Sequence, residues 1–344
     1  LTPGMALGQD IYDGAGRLLL GRHILLTEEQ ISNLEFLGFP GAYVDDEFSR
    51  GIEIQQIVSP EVRRQALKIV YDLFHMDMRK QEPSEAELKL RKTVESVVDD
   101  VICNGDIMCN IMDIKSYDDY IYYHSIHVGI LSVVVGARLG LSHDKLCQLA
   151  AAALLHDIGK RFIDHDIVRG GKAHRSEKEQ EVYRSHPKIG AEYLRETCRF
   201  PADVYEGIME HHECYNGEGY PLGKKGGGIH LFARIIRIAD CYDAKVSAFP
   251  AQKSLSPSEA LEYVMALGDR WFDPDIVAVF ARKVAAYPIG CEVELSNGQH
   301  AVVARNFENF PLRPLVRVVE TGEMLNMRDD EKARAVTVGR LIVR

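Results

Sequence analysis

The chemistry of this chain is concentrated where histidines travel with carboxylates. Residues 150–160 read Ala-Ala-Ala-Ala-Leu-Leu-His-Asp-Ile-Gly-Lys. An apolar helical run thus delivers an imidazole and a carboxylate side by side, His156 and Asp157, before Gly159 breaks the pattern beside Lys160. Such a pair is costly to bury unless something binds it, and a metal ion is the natural partner. Two other His-Asp dipeptides lack that setting. His143-Asp144 follows Ser142 and reads as the polar start of a helix, while His165-Asp166 sits in a charged stretch and reads as solvated.

Further groups of the same chemistry recur downstream and upstream. His124 shares a helical face with Val128 and Leu131, so it points inward. A lone inward histidine is more often a satisfied core residue than a ligand. His127 could share the same face, and spacing alone does not separate the two. His186-Pro187 closes a charged helix that runs from about Ser176, and His211-His212-Glu213 ends a helix that begins near Pro201. Asp240 lies in an apolar helix, Ala233–Ala244, where a carboxylate is out of place without a partner. Imidazoles and carboxylates on helices are ligands for first-row divalent metals. Six or seven of them exceed the needs of one four-coordinate zinc. They suit two adjacent ions sharing a carboxylate, an arrangement fitted to in-line phosphoryl displacement. His174 and His230 lack an apolar setting and fall outside the set.

The loop after the histidine pair, Gly217-Glu218-Gly219-Tyr220-Pro221, completes the pattern H-H-E-x-x-x-G-x-G-Y-P. With His156-Asp157-Ile158-Gly159-Lys160 it closely resembles the HD-GYP subgroup of the HD-domain phosphohydrolases. Five separated motifs occur in order between Tyr117 and Ala286: Asp118-x-Tyr120 with His124, the HDIGK run, His186-Pro187, the HHE…GYP run, and Ala239-Asp240 with Asp243-Ala244. The resemblance implies an all-helical domain that hydrolyses a cyclic dinucleotide to its linear form. Cyclic di-GMP is the usual substrate, and 3′,3′-cyclic GMP-AMP serves in some members. It also implies a first metal held by His124, His156, Asp157 and Asp240, with Asp157 bridging to a second held by His186, His211 and His212. The subgroup's metals are usually iron or manganese. Tyr120 stands where a three-metal subset has glutamate, so two divalent ions are expected. Lys160 would contact a phosphate, Glu213 would orient a ligand imidazole, and Gly219, Tyr220 and Pro221 would line the substrate pocket. The chain departs from the subgroup at Phe249-Pro250-Ala251-Gln252, where an Arg-Pro-Tyr-Arg/Lys stretch is typical; Lys253 is the stand-in. That departure supports an alternative, a metal-loaded but slow sensor of a cyclic dinucleotide that signals through its helices.

The rest of the chain must position these groups. Its 344 residues are 46% hydrophobic and 27% charged, ordinary globular composition. A net charge of -10 argues against a nonspecific DNA or RNA binder, so a phosphate substrate needs a local cationic site. No apolar run approaches the roughly 18 residues of a membrane span, and the N-terminus lacks a signal-peptide shape. Seven scattered cysteines without a C-x-x-C pair fit a reducing cytoplasm.

A mainly α chain with small β units at both ends is expected. Residues 1–58 read as a small accessory α+β module. In it Asp13-Gly14-Ala15-Gly16 turns a hairpin, Thr27 and Gln30 cap a helix whose stripe is Ile31, Leu34 and Leu37, and Gly41–Val44 is a third strand. Residues 59–116 read as a helical connector suited to relay or to pairing in a homodimer. One helix there is capped by Ser59, a second by Ser84 with Glu87, and a third is expected over Ile107–Lys115. Residues 117–286 carry the phosphohydrolase motifs. Residues 287–344 hold short β-prone runs (Val293–Leu295, Ala301–Arg305, Leu315–Val319 and Val336–Val343) that read as a small β-barrel or sheet.

Overall fold

The computed structural model describes residues 1–39, 41–76, 83–109, 116, 119–170, 174–247 and 254–342. The side chain of Ser84, Asp118, residues 110–115 and the 249–252 stretch with Lys253 lie outside them.

In the N-terminal module, Ala6–Leu7 (β1) pairs with Val44–Asp45 (β4), and Ile11–Tyr12 (β2) pairs antiparallel with Leu18–Leu20 (β3). The β2–β3 turn forms because the Asp13 carboxylate accepts from the amides of Ala15 (3.0 Å) and Arg17 (2.8 Å). Helix Glu28–Phe36 (α1) starts at the Thr27–Gln30 capping box. Leu7, Ile11, Leu26, Ile31, Leu34 and Phe39 form a small core of their own. Leu37 falls outside that core: it is the helix's C-cap and is exposed.

Helices Pro60–His75 (α2) and Pro83–Cys103 (α3) pack together, burying Ala66, Ile69 and Leu73 against Leu90, Val94 and Val97. Ser59 does not cap α2 with its side chain; its hydroxyl donates to Asp100 at 2.7 Å. Glu87 likewise turns to Arg91, at 2.7 Å. Residues 107–109 are not helical, and Cys109 bridges to Val284 instead.

The central element is Tyr120–Arg138 (α4), packed on α2, α3, His143–Leu155 (α5), Leu231–Val246 (α10) and Pro274–Lys283 (α12). It is long and apolar enough to cross a membrane, contrary to the expectation from composition, but its faces are occupied by those neighbours and most of it is buried. The core it organises is continuous with α2, α3 and the C-terminal strands.

Between α5 and α10 run a 3₁₀ turn, Ile158–Phe162, and four helices: His165–Arg169 (α6), Glu177–Arg184 (α7), His186–Thr197 (α8) and Ala202–Glu210 (α9). Helix Pro257–Ala266 (α11) follows α10. At the C-terminus, strands Glu292–Leu295 (β5), His300–Arg305 (β6), Leu315–Val318 (β7), Met324–Asn326 (β8) and Val338–Ile342 (β9) form one antiparallel sheet ordered β8-β7-β6-β5-β9. Among the described residues it is an open sheet, with β8 and β9 as its two edges, where a barrel or sheet is expected from the sequence. Lys283 at the end of α12 ties it down, donating to Glu308 at 2.9 Å.

Candidate metal centre

Each expected ligand sits at an end or an inward face of a helix. His124 comes from the second turn of α4. His156 is the C-cap of α5, and Asp157 leads into the 3₁₀ turn that carries Lys160. His211 is the C-cap of α9, with His212 next in the chain. Asp240 lies on the inner face of α10. His186 differs from the sequence reading: α7 ends at Arg184, and His186 opens α8 with Pro187 behind it in the first turn. The other His-Asp pairs stand apart as expected. His143 starts α5 and is exposed, bonded to Asp99 at 3.0 Å, and His165 is exposed at the start of α6.

The ends converge. Asp157, His186, His211 and His212 form one group, and His124, His156 and Asp240 a second; within each, the potential ligand atoms all lie within 4.8 Å of one another. Asp157 stands between the two groups. Its Oδ1 is 3.2 Å from His186 Nε2 and its Oδ2 is 3.4 Å from His156 Nε2. Its neighbours also include His211 Nε2 at 3.8 Å and His124 Nε2 at 3.9 Å.

Three imidazoles have their tautomers set by the backbone. His156 Nδ1 donates to Ala153 O (2.8 Å), His186 Nδ1 to Tyr183 O (2.7 Å) and His211 Nδ1 to Ile208 O (2.6 Å). A carbonyl can only accept, so in the neutral ring each Nε2 is left as a bare lone pair. His186 Nε2 and His211 Nε2 face each other at 3.3 Å. His156 Nε2, His212 Nε2 and Asp157 Oδ1 are buried with no hydrogen-bond partner among the described residues. Lone pairs turned on one another and on a carboxylate repel, and unpaired buried acceptors are costly. A cation between them removes both penalties, so the donor set fits divalent metal.

Protonation equilibria at three of the imidazoles point the same way. Burial, with His156 and His186 close by, holds His211 well below the ordinary histidine range, and burial beside His211 and His186 does the same for His212. Burial also lowers His186. These rings stay neutral and ligand-competent at pH values where a free imidazole would take up a proton. Burial alone would raise the Asp157 carboxyl, but His156 and Lys160 hold it well below its usual range. For His124 the loss of hydration is outweighed by Asp240 and Asp243, which raise it to about 9.

Asp243 is the residue the ligand list lacked. Fully buried one turn after Asp240, it accepts from His124 Nδ1 at 2.8 Å and His127 Nδ1 at 2.7 Å. It therefore aims His124 Nε2 at Asp240 Oδ1, 3.2 Å away, and leaves His127 as a core histidine satisfied away from the centre. Tyr120 stacks on His124 and lies 3.2 Å from its Nδ1. Removing such an orienting carboxylate typically costs roughly 10- to 100-fold in metal affinity or activity. Asp243→Asn is expected to fall in that range with the fold retained, checked by metal content and circular dichroism; unchanged metal retention and turnover would contradict the role.

Glu213 corrects the sequence reading. Among the described residues its carboxylate bonds amides and not an imidazole: it accepts from those of Leu222 (2.6 Å), Gly223 (3.1 Å) and Lys224 (3.1 Å), pinning the loop after Pro221. Tyr220 stacks on His212 with centroids 4.7 Å apart, beside the Arg184 guanidinium. Gly219 is held against the backbone of Glu213 and Cys214, leaving no room for a Cβ. Lys160, nearly buried, pairs with Asp157 through Nζ.

Against known proteins, residues 110–276 match the family model described as HD domain. The chain is 32% identical over 226 residues to a cyclic di-GMP phosphodiesterase of Pseudomonas aeruginosa, a match covering 65% of this chain and 54% of that protein. It is 32% identical over 165 residues to 3′3′-cGAMP-specific phosphodiesterase 1 of Vibrio cholerae, covering 48% of this chain and 37% of that one. The chain thus spans about half or less of the length of these relatives. Among solved structures, an HDG"Y"P protein from Bdellovibrio bacteriovorus shares the fold. It has a TM-score of 0.54 at 17% identity, over 82% of this chain and 95% of that one.

Proposed function

From the match of residues 110–276 to the HD-domain model and the similarity to cyclic-dinucleotide phosphodiesterases, we propose that this chain is a metal-dependent phosphodiesterase of the HD-GYP type that opens a cyclic dinucleotide to the linear form. Cyclic di-GMP is the first substrate and 3′,3′-cyclic GMP-AMP the second. The observation that carries the reading is the convergence of bare imidazole nitrogens on Asp157. His124, His156, Asp157 and Asp240 would hold one divalent ion, and Asp157, His186, His211 and His212 the other. Iron or manganese suits this mix of imidazole and carboxylate. The bound pair would supply a nucleophilic water at neutral pH and take up charge on the phosphoryl oxygens.

The chain's own residues do the rest. Burial of the centre keeps bulk water away and strengthens every charge interaction there. Asp157, its carboxyl held well below the usual range by His156 and Lys160, offers one oxygen to each ligand group. Lys160 stays charged because Asp157 outweighs its burial, so it adds positive charge beside the phosphoryl position without acting as a proton donor. Tyr220, fixed on His212 by the loop that Glu213 pins, offers an aromatic face to a base or ribose. The net reaction adds one water across one P–O ester bond, giving a phosphoryl end and a hydroxyl end. The seven free cysteines suit a reducing cytoplasm.

The test is turnover. Manganese- or iron-loaded protein is expected to convert cyclic di-GMP, and more slowly 3′,3′-cyclic GMP-AMP, to linear dinucleotide by chromatography. Chelation should stop the reaction and added metal restore it. Tight binding of both nucleotides without product would move the reading to a sensor.

A further inference from the structure

We propose that Arg237 is the clamp for a phosphoryl oxygen of the substrate at this centre, an inference that rests on the phosphodiesterase reading above. Arg237 sits on α10 one turn before Asp240, so the two side chains rise on the same face. Its side chain is only 17% exposed, yet its donors are poorly engaged. Nη1 is 3.6 Å from Asp240 Oδ2, beyond hydrogen-bond reach, Nη2 is 3.9 Å from the Cys214 sulfur, and the guanidinium carbon stands 5.9 Å from the Phe272 ring centroid. Nε is buried with no hydrogen-bond partner among the described residues.

Three other partly buried arginines are used differently. Arg161 donates to the carbonyls of Leu73 and Met76, Arg175 to those of Ile167 and Val168, and Arg313 to those of Met327, Ala333 and Val336. Those three tie backbone segments together. Among the described residues Arg237 donates to no backbone carbonyl, and it lies beside the second ligand group: Asp240 Oδ2, 3.6 Å from Arg237 Nη1, is also 3.8 Å from His212 Nδ1. A planar guanidinium with free donors matches two oxygens of a phosphoryl group. In a chain of net charge -10, an anionic substrate needs such a local cation. Asp240 then serves twice: it is a ligand of the centre, and its charge keeps the guanidinium turned inward.

The test uses the manganese-loaded full chain and its Arg237→Gln and Arg237→Lys variants. Inorganic phosphate affinity is read by calorimetry, KM for cyclic di-GMP by product formation, and metal content in parallel. Arg237→Gln is expected to keep its metal while phosphate binding weakens and KM rises, each by roughly tenfold or more. Arg237→Lys, which keeps the charge and loses the planar fork, should fall between. Unchanged phosphate affinity in the glutamine variant overturns the proposal. If that variant does not fold, wild-type affinity in Arg237→Lys overturns it as well. Loss of metal from both variants would make Arg237 a support for Asp240 instead. A wild type that binds phosphate through Arg237 but leaves cyclic di-GMP uncut would uphold the clamp and overturn only the substrate reading.

Discussion

Asp157→Asn is expected to lower turnover by about three orders of magnitude or more, because the ions it would hold supply several kcal/mol of the rate. The Asp157 carboxylate faces both ligand groups. One carboxylate oxygen lies 3.2 Å from His186 and the other 3.4 Å from His156. An amide offers one neutral oxygen where two charged ones stood, so it cannot bridge two cations. Its NH₂ group would instead donate to a bare imidazole nitrogen, and its oxygen would still accept from Lys160. The variant should therefore fold, with near-native circular dichroism, while failing to retain a full metal complement. Full metal content with full activity in the purified variant would show that Asp157 is not the shared ligand.

Gly159→Ala is expected to be among the most damaging single-methyl changes at the described residues. A Cβ built at Gly159 would stand 2.0 Å from the carbonyl oxygen of His186 and 2.8 Å from the amide nitrogen of Gly190. Both are backbone atoms of α8, so no side chain can rotate away. Relief requires pushing the 3₁₀ turn off the start of α8. The first carries Lys160 and follows Asp157, and the second carries His186. Overpacking a core usually costs about 1–3 kcal/mol; against backbone on both sides the cost should reach the top of that range or exceed it. Thermal unfolding of the variant, with metal content of whatever folds, measures this. A melting temperature equal to wild type would mean that the two segments are not in the contact described. Gly159 reads in the sequence as a pattern breaker, but its role is this close approach, which only the partner segment reveals.

The helical frame and most of the centre are legible in the sequence because burial imposes periodicity and capping leaves short local marks. The apolar run before His156-Asp157 distinguishes that pair from His143-Asp144, which sits behind an N-cap, and from the solvated His165-Asp166. The side chains of Thr27 and Gln30 form the capping box that their spacing announces. Legibility fails where a residue's partner lies far along the chain. His124 and His127 share the inward face of α4, and only Asp243, more than a hundred residues later, sets their different roles. Glu213 sits beside two ligand imidazoles in sequence, yet its partners are amides across the loop. Ser59 has the form of a cap but is drawn to Asp100 on the facing helix. His186-Pro187 did carry a local signal, since proline favours the first turn of a helix, and it marks a start where a charged run suggested an end. In the C-terminal unit, β8 is three residues without alternation, too short to announce itself. Sheet closure depends on edge pairing that no local pattern records.

The most direct measurement is the metal content of the anaerobically purified chain of residues 1–344 set beside its product from cyclic di-GMP. Two divalent ions per chain, with linear dinucleotide formed in proportion to metal loading, is the expected result. One ion or none after reconstitution with iron and with manganese, and no linear product, would contradict a two-metal phosphodiesterase centre around Asp157.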